Sequence, residues 1–182
     1  MIFTEQDYLN FQRKTERYLD VLSNTKAYRL YWQKTLKKEI VELLQKAAAF
    51  AKLPGTVEER ADIQNLEAVA LTLGSVKSGL GEPVSEGVHR DLIKQNGSLV
   101  YQQLFNGKIL VLINYPYIEK YGQPQPPKTI AIYRPEELKE PYFIRHLETF
   151  ITEITNWEDY DDDRPDENQR IGYKMNFERE AE

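Results

Sequence analysis

The most suggestive chemistry in the chain lies at 89–96, where His89-Arg90-Asp91-Leu92 is followed after three residues by Asn96. A protein-kinase catalytic loop has this spacing: the Asp accepts the proton of the attacking hydroxyl and the Asn holds a magnesium ion. Neither residue works alone. Phosphoryl transfer also needs a Gly-rich loop over the nucleotide, a strand lysine and an Asp-Phe-Gly metal site. The chain has no Gly-x-Gly-x-x-Gly, no Val-Ala-Ile-Lys and no Asp-Phe-Gly. Much of the 88 residues before His89 reads as helix, which leaves little room for a strand-rich nucleotide lobe. The segment is read instead as a loop or short helix leading to an Asn96-Gly97 turn ahead of a strand.

Other motifs in the chain are similarly incomplete. In "GSVKSGLGEP", 74–83, the glycines Gly74, Gly79 and Gly81 with Ser75 could bend backbone amides around a phosphate, and Lys77 and Arg90 would add charge. The spacing matches neither the P-loop nor the dinucleotide fingerprint. A small-ligand or nucleotide-binding domain built on this loop is therefore the alternative reading, behind a flexible connection. "DYDDD", 159–163, alternates acids like a calcium loop, but Arg164 stands where the turn glycine belongs and Arg170 where the bidentate Glu belongs. Glu137 and Lys139 resemble the end of a nuclease Glu-x-Lys pair without an assignable upstream Asp. His89 and His146 are the only histidines, and there is no cysteine, so thiolate metal sites, disulfides and a Cys nucleophile are excluded. His146 is expected on the solvated side of the last helix. No catalytic residue, metal site or cofactor is expected from these patterns.

Composition narrows the class. The 182 residues suffice for one domain with appendages and carry a net charge of −5. The first 52 residues hold ten Lys or Arg against six acids, whereas 158–169 hold seven acids and one Arg. "KAYRLYWQKTLKK", 26–38, sets five cations among two Tyr and a Trp, a mixture that suits nucleic acid. At helical spacing, however, those rings share a face with Leu36, so they are read as core and the cations as a wet face. Nucleic acid is not the expected partner. Apolar runs are too short for a membrane helix, the first residues do not read as a signal peptide, and the expectation is a soluble, cytoplasmic protein.

The elements that must position these residues follow from periodicity. Thr4 caps a first helix with Asp7 three residues on, and Tyr8, Phe11, Tyr18, Leu19 and Leu22 recur at helical spacing. Ser23-Asn24-Thr25 interrupts it. A second helix carries Tyr28, Tyr31, Trp32, Leu36, Ile40, Leu43, Leu44 and Ala47 on one face and stops at Pro54-Gly55. Thr56 and Glu59 suggest a capping box for a short helix ending near Gln64. "LEAVALTL", 66–73, reads as a strand and 74–97 as loop. Asn106-Gly107 predicts a two-residue type I′ turn joining two antiparallel strands, with Gln102 opposite Val111 and Val100 opposite Ile113. Ile109–Ile113 is apolar on both sides, so it should lie centrally in its sheet with cover on both faces. "KTIAIY", 128–133, is a further strand. Pro141 opens a last helix with Phe143, Leu147, Phe150, Ile151, Ile154 and Trp157 in one stripe.

Two segments read as contact surfaces for a protein partner or for self-association. The first is "YIEKYGQPQPPK", 117–128, where Tyr117 and Tyr121 accompany Pro124 and Pro127 in a Pro-x-x-Pro pattern. The second is the C-terminal run in which Ile171, Tyr173, Met175 and Phe177 alternate with polar residues or glycine, a strand signature fit to add to a sheet edge. The expected fold is α+β: a single domain over 1–157 and an acidic linker with a tail at 158–182. Residues 1–64 would be mainly helical; 65–157 would hold a mainly antiparallel sheet built on the 98–115 hairpin and a C-terminal helix packed on it. The expected function is a non-enzymatic interaction or assembly component.

Overall fold

The structure, a computed structural model, describes residues 3–160. It is α+β, with a helical N-terminal region, antiparallel sheets and a C-terminal helix packed on the larger sheet. Helix α1 spans Glu5–Tyr31 and α2 spans Lys37–Phe50. A five-residue π turn, Trp32–Leu36, joins them without a break. Thr4 and Asp7 form the expected capping box: the Asp7 amide donates to Thr4 Oγ1 at 3.3 Å and the Thr4 amide donates to Asp7 Oδ2 at 2.8 Å. The interruption expected at Ser23-Asn24-Thr25 does not occur. Thr25 turns its hydroxyl back onto the Val21 carbonyl at 2.9 Å, which satisfies the side chain inside the helix rather than ending it.

The larger sheet has five antiparallel strands in the order β1-β2-β5-β6-β8, with β1 Thr56–Arg60, β2 Ala68–Thr72, β5 Ser98–Gln103, β6 Ile109–Asn114 and β8 Lys128–Tyr133. A smaller sheet holds β3 Ser75–Ser85, β4 Val88–Gln95 and β7 Tyr117–Ile118 in the order β3-β4-β7. Two expectations fail here. Thr56–Arg60 is a strand rather than a capped helix, because alternation outweighs the capping pattern: Val57 packs on the core and Glu59 reaches Lys37, while Glu58 and Arg60 pair with each other at 3.7 Å. The 74–97 segment is a long hairpin rather than a loop. Its glycines accommodate an irregular register between Lys77 and Gly81, where Gly79 has φ 80°.

The central hairpin is present, but its register differs by one residue. Only Gly107 of the Asn-Gly pair has positive φ. The Gly107 amide donates to the Leu104 carbonyl and the Leu104 amide to the Lys108 carbonyl, both at 2.8 Å, so the loop has three residues, Phe105–Gly107. Val100 therefore faces Leu112, and Tyr101 faces Val111. This puts Ile109, Val111 and Ile113 on the same face as Leu99 and Tyr101, and that face packs against the helices.

Both α2 and α3 (Glu140–Glu158, opened by Pro141) contribute to this one core. Trp32, Leu36, Ile40, Leu44 and Ala48 come from the N-terminal side, and Phe143, Phe150 and Ile154 from α3. Helices thus cover one face of the sheet, not both as the apolar Ile109–Ile113 run suggested. The other face has a small cluster of Ala68, Ala70 and Val100 with Leu112, to which no helix contributes. Strand β6 lies next to the edge strand β8, and β5 is central. Ala68, Ala70 and Val100 are almost fully buried there, with Leu112 packed against them.

The hairpin tip is pressed against the base of α1. A Cβ at Gly107 would lie 2.7 Å from Tyr28 Cβ and 3.0 Å from the Thr25 carbonyl oxygen, at a φ of 77°. Gly107→Ala should therefore destabilise the protein by about 1–3 kcal/mol, from left-handed strain plus displacement of the helix. A chemical denaturation midpoint unchanged from wild type would contradict this packing.

Candidate interaction surfaces and a buried histidine

Helix α1 is the most unusual part of the chain. It has 27 residues, none of them buried. Yet Tyr8, Phe11 and Tyr18 are 63%, 70% and 61% exposed, and Leu19 and Leu22 are 56% and 44% exposed. Positions 8, 11, 15, 18, 22 and 25 alternate steps of three and four, the spacing of a helix-packing seam. Toward its end the same helix meets the hairpin tip at Thr25, Tyr28 and Arg29, and beyond it Trp32 and Leu36 enter the core. Phe105, at that tip, is also exposed, and its carbonyl accepts from Arg29 Nη2 at 2.5 Å. One stripe therefore begins as an unpartnered apolar seam and ends as the buried face of α2. Within α1, polar side chains bond along the helix, as in Gln12 to Glu16 at 2.9 Å and Gln6 to Asn10 at 3.2 Å. Such pairs add only about 0.2–0.5 kcal/mol each.

The helix is anchored where it leaves the sheet. Trp32 is fully buried, and its indole N–H donates to Glu67 Oε2 at 3.2 Å. Lys37 Nζ reaches the same oxygen at 3.1 Å and Glu59 at 2.9 Å. Its pKa is held above the usual lysine value, first by the Glu59 carboxylate and against the opposing effect of burial. Tyr28 and Tyr31 are half-buried beside this anchor.

The residues singled out for ligand binding lie along the smaller sheet. Gly74 is the positive-φ turn into β3; Ser75, Lys77, Gly79 and Gly81 follow along it, and Arg90 is on β4. The strand is extended, so its first and last residues here are roughly 20 Å apart. Lys77 pairs with Asp91 at 2.7 Å, and Arg90 lies 3.6 Å from Glu119 and 4.0 Å from Glu82, which also takes Lys120 at 2.8 Å. The His-Arg-Asp segment is strand β4, with Leu92 turned inward. Asn96 donates to the Leu73 carbonyl at 3.2 Å, which closes the β2–β3 turn.

Of the residues expected to contact a partner, Tyr117 lies on β7 and is exposed. Tyr121 bridges back to Ile118, and Pro124 and Pro127 are exposed in the segment that leads into β8. Ile171, Tyr173, Met175 and Phe177 lie outside the described residues. No helix among the described residues is long and apolar enough to cross a membrane, and no group of three or more His, Cys, Asp or Glu among them is arranged to hold a metal ion.

Comparison with protein-family models, curated proteins and solved structures found no match.

His146 departs from expectation. It is 2% exposed and sits between two phenols: Tyr101 Oη is 3.1 Å from Nδ1 and Tyr133 Oη is 3.1 Å from Nε2. A neutral imidazole suits this pair, since one ring nitrogen donates to one phenol oxygen and the other accepts from the second phenol. Phe143 packs edge-on at 6.5 Å between ring centroids. Burial lowers the histidine pKa to about 4 and raises those of Tyr101 and Tyr133. The signal was available: at 100° per residue His146 lies about 60° to one side of Phe143, closer than Ile151 at about 80° on the other. The core of α3 is accordingly Phe143, His146, Phe150 and Ile154, while Ile151 is more than a third exposed. Near Tyr101 on β5, Gln103 is fully buried with neither side-chain polar atom partnered, and Arg29 Nε is likewise buried and unpartnered.

The depressed histidine pKa has a definite sign. Between about pH 6.5 and 4 the unfolded chain binds a proton that the folded chain does not, so stability falls as pH falls through that window. The whole effect is up to about 3 kcal/mol. His146→Gln should flatten this part of the stability–pH curve relative to wild type. Parallel curves for the two proteins between pH 6.5 and 4 would show that the histidine is not buried neutral.

Proposed function

We propose that this chain is a non-enzymatic interaction or assembly component that docks through the exposed apolar seam of α1, in a cytoplasmic setting. One observation carries this reading. A 27-residue helix presents Tyr8, Phe11, Tyr18 and Leu22 on a single seam and buries none of them. A lone helix of this kind is marginal in water, because most helical stability in proteins comes from packing an apolar face. Clustered exposed aromatics with arginines nearby are also the side chains that most often dominate protein contacts. The body of the protein does not need the seam, since its core is complete from Trp32 onward.

The test uses the full chain with Tyr8, Phe11, Tyr18 and Leu22 all changed to Gln. The melting transition of the body should move by less than about 1 kcal/mol, as expected for surface changes. Association, read by native mass and by stoichiometric co-purification, should be lost. Association unchanged by the four substitutions would remove α1 as the docking element.

A further inference from the structure

We infer that the occupant of the α1 seam is α1 of a second copy of this chain, packed antiparallel about a two-fold axis near Thr15. The inference rests on the docking role given to α1 above and names its partner. Three observations favour it.

Charge is the first. The opening turn of α1 is acidic, with Glu5 and Asp7, whereas Lys26 and Arg29 lie near its other end. Parallel pairing would set the acidic turns side by side. Antiparallel pairing brings each acidic turn toward the Lys26 end of its mate. The two ends of the helix are complementary in the antiparallel orientation and repel in the parallel one.

Area is the second. Tyr8, Phe11, Tyr18, Leu19 and Leu22 together offer about 600 Å² of exposed side-chain surface per copy, or about 1,200 Å² across a symmetric pair. That reaches the lower bound of stable interfaces without any other contact.

Continuity is the third. Phe105 stands exposed at the hairpin tip against the base of α1, and Phe3 is exposed just before its first turn. In the antiparallel pair the Phe3 end of one helix arrives at the Phe105 end of the other. Two apolar side chains outside the seam are then covered by the same operation. A two-fold pairing closes on itself, so the product is a dimer rather than a fibre.

The absence of cysteine makes the test clean. Native mass and light scattering of the full chain should give twice 21.4 kDa, and the four-Gln chain should be monomeric. Thr15→Cys should form a cross-link through a short bis-maleimide on its own. Tyr8→Cys and Leu22→Cys should each fail alone but cross-link to one another when mixed, with differently tagged chains reporting the mixed product. A monomer at tens of micromolar would overturn the inference while leaving open the docking of α1 to another protein, which the four-Gln comparison judges separately. Cross-linking of Tyr8→Cys with itself would show a parallel pair and overturn the orientation. A dimer that survives the four-Gln change, or that gives no cross-link at any of the three positions, would place the contact elsewhere and overturn it as well.

Discussion

The seating of Trp32 on the sheet is the contact on which the remaining architecture depends. Its indole is wholly buried, and its N–H finds Glu67, which also receives Lys37 one turn later. An indole placed there without an acceptor would leave a buried donor unsatisfied, at a cost of about 1–3 kcal/mol. The five-residue turn from Trp32 to Leu36 is part of the same solution. The Lys37 amide donates to the Trp32 carbonyl, one residue wider than an α-helical turn. The wider turn changes the helix face between Trp32 and Leu36, and Ile40, Leu44 and Ala48 continue the buried side along regular α-helix.

The anchor divides one continuous helix into two parts with different energetics. From Trp32 onward every turn contributes a buried side chain. Before it, the helix leaves the body at the hairpin tip and continues with an apolar seam exposed to solvent. The sheet cannot supply the missing partner. Its helix-bearing face is already occupied by α2 and α3, and α3 is tied down by the Tyr101–His146–Tyr133 chain, by Lys128 to Glu153 at 2.7 Å and by Lys94 to Glu158 at 2.6 Å. The β3–β4 hairpin satisfies its own charges through Lys77–Asp91 and the Glu82 pairs. Among the described residues α1 carries the most exposed large apolar side chains, and the β3–β4 hairpin exposes Val76, Leu80, Val84 and Val88.

Much of this organisation was legible in the residues. The Thr4–Asp7 cap, the core face from Trp32 to Leu44, the strand at Ala68–Thr72, the central hairpin and the Pro141 start of α3 all follow from local patterns. What was not legible has physical reasons. Asn106-Gly107 suits a two-residue turn, but the Gly107–Leu104 and Leu104–Lys108 hydrogen bonds close a three-residue loop, and this moves every cross-strand pair by one. Thr56 and Glu59 carry a capping signature that lost to antiparallel pairing with β2 and the packing of Val57 on the core. The glycines of 74–83 look like loop residues because a twisted, largely exposed hairpin needs few apolar side chains to hold it. His146 looked solvated because imidazole is polar, and only the two phenols that face it make its burial affordable. The apolar residues of α1 were visible at once as a helix face; nothing local distinguished a face that packs within the chain from one that packs against another molecule.

In the proposed assembly α2 is held by the body, whereas α1 is held by association. Amide hydrogen exchange at two protein concentrations reads both halves in one molecule. Amides of 37–50 should exchange slowly and at the same rate in both samples, while those of 8–24 should be protected in the concentrated sample and exchange at least tenfold faster once the protein is diluted to monomer. Equal, concentration-independent protection along the whole of 8–50 would contradict the claim, because it would mean that α1 is stable without a partner.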